Sequence, residues 1–217
     1  MLFGNIDVLY ILIVIAVILL SMTLHEAMHA FVSYWLGDDT AKLQGRLTLN
    51  PIKHIDPFLT LILPVTLAIL GAPVFGGAKP VPFNPGRVKF EEWGAALVAM
   101  AGPLTNLVIA FVFFGIGVLA LPVLPQGSIF GEFITTTIMV NLGFSVFNSI
   151  PIPPLDGSRV LYALAPEFVR RAMEAIEQFG VMFIFLIVLV ANGAIGSFVL
   201  AIMNAILEAF SAVFHLF

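Results

Sequence analysis

His25-Glu26-Ala27-Met28-His29 is an HExxH pattern. On a helix, positions i and i+4 share a face, so the two imidazoles can chelate one ion. Glu26, one residue from His25, is placed to take a proton from a metal-activated water rather than to be a ligand. Two imidazoles suit Zn²⁺, and a chain without cysteine has no thiolate to offer instead. HExxH also arises by chance in soluble proteins. Here, however, Asp7, His25, Glu26 and His29 are the only acidic, basic or histidine side chains between Ile6 and Leu36. Polar groups inside a membrane span are costly and face the protein interior, and three at ligand spacing point to a metal site.

A catalytic zinc takes three protein ligands and leaves the fourth position open to water. The candidates for the third are few. Asp156 closes the Pro-rich run from Asn148 to Gly157, where Pro151, Pro153 and Pro154 forbid regular helix; the bland alternative is a solvated turn residue. Irregular backbone near membrane depth is tolerated where it lines protein or a wet cavity. His54 lies in a polar segment beside Asp56-Pro57, and His215 close to the C-terminus, where helices fray.

The solvent for these groups follows from composition. Of 217 residues, 60% are hydrophobic and 10% charged, and the mean hydropathy is +1.10. Soluble domains carry about 25% charged residues, so lipid must solvate much of this chain. A net charge of −4 argues against nucleic acid as a partner, since phosphate neutralisation needs a basic face. The N-terminus has no basic n-region, and its apolar run is too long for a cleavable signal peptide.

Five stretches are long and apolar enough to cross a bilayer: roughly 6–36, 93–121, 132–150, 176–191 and 194–214. Asn192-Gly193 marks a turn between the last two, which otherwise form one bent helix. A sixth apolar stretch, 57–72, is short and holds Pro64. The expected fold is an all-α polytopic membrane protein. It has five to six transmembrane helices, a re-entrant or peripheral segment, and short extended strands on the cytoplasmic side. A single membrane-embedded domain spans 1–217, with a core at about 6–161 and C-terminal helices at about 176–214. All nine Lys and Arg fall in 37–56, 73–92 and 151–175, which the positive-inside rule places in the cytoplasm. For 37–56 and 73–92 to share a side, 57–72 must enter and return. Lys79-Pro80-Val81-Pro82-Phe83 reads as extended chain at an edge.

Together these pieces resemble the site-2 protease family of intramembrane zinc metalloproteases. The resemblance rests on HExxH in the first span, Ala101-Gly102-Pro103-Leu104-Thr105-Asn106 in a later one, and the Asn148–Gly157 segment with Leu155-Asp156-Gly157, in the family's order, over about Ser21 to Leu161. It implies His25, His29 and Asp156 as zinc ligands and Glu26 as the catalytic base. It also implies that Asn148 helps position substrate or stabilise the oxyanion. For Asn106 a structural amide bonding across helices is an equal alternative. Neither a PDZ domain nor CBS modules, found in some members, appears in these residues. Gly45 to Pro51 and Asp56-Pro57 resemble a compact, mostly bacterial branch, which implies a plasma-membrane location. The partners expected are a transmembrane-protein substrate and the bilayer. Because a transmembrane helix has its carbonyls bonded internally, such a substrate must unwind, and segment 73–92 either pairs with it by β-augmentation or is a connector. The competing readings are a membrane metal-ion transporter, which needs no Glu beside its ligand, and an inactive member serving as a binding scaffold.

Overall fold

The computed structural model describes residues 8–62, 77–180 and 192–214, together with Thr66, Met182, Phe183 and Leu186. Seven α-helices lie among them: α1 Val8–Trp35, α2 Thr40–Leu43, α3 Glu91–Ala120, α4 Ile129–Asn148, α5 Gly157–Leu164, α6 Glu167–Glu177 and α7 Asn192–Phe214. Four of these, α1, α3, α4 and α7, are long and apolar enough to cross a membrane. They match four of the five stretches expected; of the fifth, 176–191, residues 176 and 177 close α6 and half of the stretch lies outside the described residues, as does His215. At about 1.5 Å per residue, the 28 residues of α1 exceed the ~30 Å hydrocarbon thickness, and the 20 of α4 just reach it.

Helix is the one open-ended structure that satisfies its own backbone in lipid, and the hydroxyls within these helices follow the same rule. Thr23, Thr105 and Thr137 each donate to the carbonyl four residues earlier, at 2.6–2.7 Å. The helices start and stop at local signals. Gly37, at φ +109°, ends α1, with Asp38 N–H bonding back to Ser33 O. Ser128 Oγ accepts the Gly131 N–H and caps α4.

Helix α3 is the hub, packing on α1, α4, α5 and α7. One core cluster, Ala110, Ile134, Ile138, Leu142, Val146 and Met203, joins α3, α4 and α7. Phe111 and Phe114 meet Phe210 and Phe214 with ring centroids 5.0–5.7 Å apart. Large apolar side chains such as Leu12, Leu97, Val108, Val112 and Phe198 face outward, a surface suited to lipid rather than water.

Between α1 and α3 the chain forms a polar cap. The 3-10 turns Pro51–Lys53 and Pro85–Arg87 are each capped by an asparagine, Asn50 and Asn84. The ends of the stretch after Pro57 meet again: Thr60 Oγ1–H donates to Gly77 O at 2.7 Å, and Lys79 N–H to His54 O at 2.9 Å. The expected short strands do not form among the described residues. Residues 77–84 form neither helix nor strand, and Pro80 and Pro82 have no N–H with which to build a ladder. The backbone bond to His54 and bonds to the side chains of Thr60, Arg46, Glu26 and Asp38 hold the run instead.

Candidate metal centre

His25 and His29 project from one face of α1, both almost fully buried. Asp156 reaches them from the loop between α4 and α5. Its Oδ2 lies 3.1 Å from His25 Nε2 and 3.5 Å from His29 Nε2. One ligand atom from each of the three falls within 4.8 Å of the others, the geometry of a site able to hold an ion. Glu26 stands outside that cluster, and its Oε2 accepts the Val81 N–H at 3.0 Å.

Each ring commits its other nitrogen elsewhere. His29 Nδ1–H donates to Val98 O at 2.7 Å, and His25 Nδ1–H to Asn106 Oδ1 at 2.6 Å. With Nδ1 protonated, both Nε2 lone pairs point at the cluster, the outer-shell pattern of ligating histidines. Two neutral imidazoles and a carboxylate, with no thiolate, suit Zn²⁺ with an open fourth position.

Helices α3 and α5 shape the cradle through glycines. A Cβ on Gly102 would sit 2.5 Å from both Nε2 atoms, inside the space an ion needs. The Ala101-to-Asn106 motif thus brings backbone, not side chain, against the site. Pro103 has no N–H for the Ala99 carbonyl, so the ladder of α3 is interrupted there, beside the Val98 carbonyl that accepts from His29. A Cβ on Gly157 would lie 2.1 Å from Ser149 O. The loop therefore folds tightly onto the end of α4, and this close approach carries Asp156 back to α1.

His54 does not join the cluster. It is buried, its Nε2–H donates to Thr48 O at 2.9 Å, and its Nδ1 has no partner. Asn148 ends α4 with its side-chain amide donating to Phe144 O at 3.0 Å, within its own helix. Three groups at the site escaped sequence reasoning. Arg46 is buried, and its guanidinium donates to the carbonyls of Lys79 and Pro80. Burial pushes that guanidinium below its ordinary value, and the nearby Glu26 opposes the shift. Val81 offers a backbone N–H, which carries no sequence signal. Asn141 is fully buried and bonded to Asn106; an amide in the middle of a span was the available sign.

A family model described as peptidase family M50 matches residues 13–192. A relative from Bacillus subtilis, named "Putative zinc metalloprotease YwhC", is 41% identical over 91% of this chain and 90% of its own length. The "Putative zinc metalloprotease Rip2" of Mycolicibacterium smegmatis is 35% identical over 85% of this chain and 68% of its own. No solved structure matches the chain.

Proposed function

The chain belongs to peptidase family M50, the site-2 protease family of zinc-dependent membrane metalloproteases, and on that premise we propose that it hydrolyses peptide bonds in or near the transmembrane segments of other membrane proteins. The observation that carries this reading is the convergence of His25 Nε2, His29 Nε2 and Asp156 Oδ2, with both Nδ1 atoms engaged elsewhere. These three residues would hold the zinc. Bound there, zinc supplies Lewis acidity that lowers the pKa of a water toward ~7 and polarises the scissile carbonyl.

The chain's own residues do the rest. Glu26 takes the proton of the attacking water on a carboxylate oxygen and returns it to the leaving amide nitrogen. The Val81 N–H orients that carboxylate from above. Asn148, at the end of α4, hydrogen-bonds the substrate near the scissile carbonyl once its amide leaves the Phe144 carbonyl. The run 77–84, neither helix nor strand, reaches the site through Val81 and gives an unwound substrate a backbone to pair with. The site opens toward the cytoplasm of a bacterial plasma membrane. The distribution of Lys and Arg supports that side, since all nine lie in the segments that flank the site's end of α1, α3 and α4.

The test is hydrolysis of a transmembrane substrate by protein purified in detergent. Wild type should cleave, a zinc chelator should stop it, and Glu26→Gln should bind zinc without cleaving. Glu26→Gln that still cleaves at the wild-type rate would remove the base from the mechanism. Zinc bound and moved across liposome membranes without any cleavage would instead favour the transporter.

A further inference from the structure

His25 differs from His29 in what holds it. His29 Nδ1–H donates directly to a backbone carbonyl, Val98 O, which can only accept. His25 Nδ1–H donates to a side-chain amide, Asn106 Oδ1. An amide presents an oxygen or, flipped, an NH₂, so the bond alone does not say which nitrogen of His25 keeps the proton.

The answer lies two residues further into the bundle. Asn106 Nδ2–H donates to Asn141 Oδ1 at 2.8 Å. Asn141 Nδ2 in turn donates to Thr137 O at 2.8 Å and to Ser21 Oγ at 2.9 Å. Asn106 and Asn141 are both fully buried, and Ser21 nearly so. Thr137 O is a pure acceptor, so Asn141 must turn its NH₂ toward it and its oxygen toward Asn106. Asn106 must then answer with its NH₂, which leaves its own oxygen facing His25. The proton of His25 is thereby confined to Nδ1, and the Nε2 lone pair is free to ligate. Ser21 lies one helical turn before His25 on α1, so the bonds also close a ring through α1, α3 and α4 at the depth of the site.

We propose that Asn141 is a positioning residue for the metal: through Asn106 it transmits the polarity of the Thr137 carbonyl to His25 and fixes the tautomer that binds zinc. This rests on His25 being a zinc ligand. Outer-shell partners of this kind change metal affinity by about 10–100-fold when removed. Asn141 does so without touching the ligand, by deciding which way another amide faces.

The experiment measures the zinc dissociation constant of protein purified in detergent, by competition with a chromogenic chelator, with no substrate present. Asn141→Leu is expected to weaken zinc by about 10-fold or more. Asn106→Asp puts an acceptor against His25 Nδ1 whichever way it turns, so zinc binding should survive. In that background Asn141→Leu should bring no further loss. Asn141→Asp, whose fully buried carboxyl stays protonated and so can give its O–H to Thr137 O while its carbonyl oxygen faces Asn106, should bind zinc as wild type does, and it serves if the leucine variant does not fold. An equal loss from Asn141→Leu in both backgrounds, or no loss in either, overturns the relay, as does a loss from Asn141→Asp as large as that from removing His25. Wild type and His25→Ala run alongside. If wild type binds zinc and His25→Ala does not, the ligand reading stands and the Asn141 results judge the relay alone. If His25→Ala keeps its zinc, the ligand reading fails, and the relay with it.

Discussion

At the residue scale the site depends on what is absent as much as on what is present. Gly102 faces both Nε2 atoms, and a single methyl there would sit 2.5 Å from each. Alanine is a better helix former than glycine, so Gly102→Ala should keep α3 intact while emptying the cradle. Zinc content by elemental analysis should fall sharply with little change in helicity; full occupancy in this variant would show that the ion sits elsewhere. Ligand substitutions sort the histidines the same way. Asp156→Ala should lose zinc, and His54→Ala should retain it, because His54 spends its Nε2–H on Thr48 O within the cap. A site emptied by the loss of His54 and filled despite the loss of Asp156 would reverse the assignment. For Glu26→Gln the expected cost is a rate lower by about 10²–10⁴-fold or more with zinc retained, the scale of a lost general base.

At the element scale, the cap between α1 and α3 is tied down by one buried carboxylate. Burial pushes the Asp38 carboxyl up, but bonds from Thr40 Oγ1–H, the Asn84 and Thr40 N–H groups and Ser33 Oγ–H together outweigh it, and the carboxyl lies below its ordinary value. Through Asn84 it anchors the run that reaches Glu26. A carboxyl that holds its proton less tightly when folded stabilises the fold fully above its unfolded value of ~3.9 and loses that contribution as pH falls through the lower native value. Asp38→Asn should therefore loosen the cap at neutral pH, and its difference from wild type should shrink on acidification. Hydrogen exchange of residues 77–89 at several pH values reads this directly; a difference that stays constant into strong acid would assign the anchoring to something other than the charge. The loop after α4 makes a different demand. Gly157→Ala drives a Cβ into the Ser149 carbonyl, so it should destabilise the loop by about 1–3 kcal/mol, the scale of overpacking, and pull Asp156 away from the histidines. A lower melting temperature with weaker zinc binding is the expected pair of results.

For the whole molecule the question is which ends of the spans share a side. His25 and His29 lie in the C-terminal half of α1, and Asp156 follows the C-terminal end of α4, so those two ends must lie together. An odd number of crossings must then separate them, and α3 is one. A further crossing by 57–72 would move Asp156 across ~30 Å of hydrocarbon, so no net crossing is expected of that stretch. The contacts of Thr60 with Gly77 and of His54 with Lys79 support the same conclusion, since the chain is back where it left. Much of 57–72 itself lies outside the described residues. Cysteines introduced at Thr48 and Asn84 should label with an impermeant reagent from the same side, the cytoplasmic one, and a cysteine at Gln126 from the other. The native chain has no cysteine to confuse the readout. Opposite-side labelling at Thr48 and Asn84 would make 57–72 a true span.

The HExxH motif and the four helices long and apolar enough to cross a membrane were legible in the sequence by itself, because both are local. The i, i+4 spacing places His25 and His29 on one face of any helix, and lipid solvation acts on every residue of an apolar run. Contacts between distant segments were not legible. Spacing alone left Asp156, His54 and His215 open as neighbours for the histidines. It is the tight turn at Gly157 and the packing of α4 on α1 that bring Asp156 to them and keep His54 in the cap. Among the described residues of 73–92 no strand forms, and an irregular run is held by Arg46, Glu26 and Asp38, because two prolines deny it a ladder. Asn106 drew notice through a motif, yet its orientation depends on Asn141 and the Thr137 carbonyl, which are remote from it in sequence and adjacent once three helices pack. Which nitrogen of His25 holds its proton is decided by that packing, because a hydrogen bond has a direction that residue types and spacing do not carry.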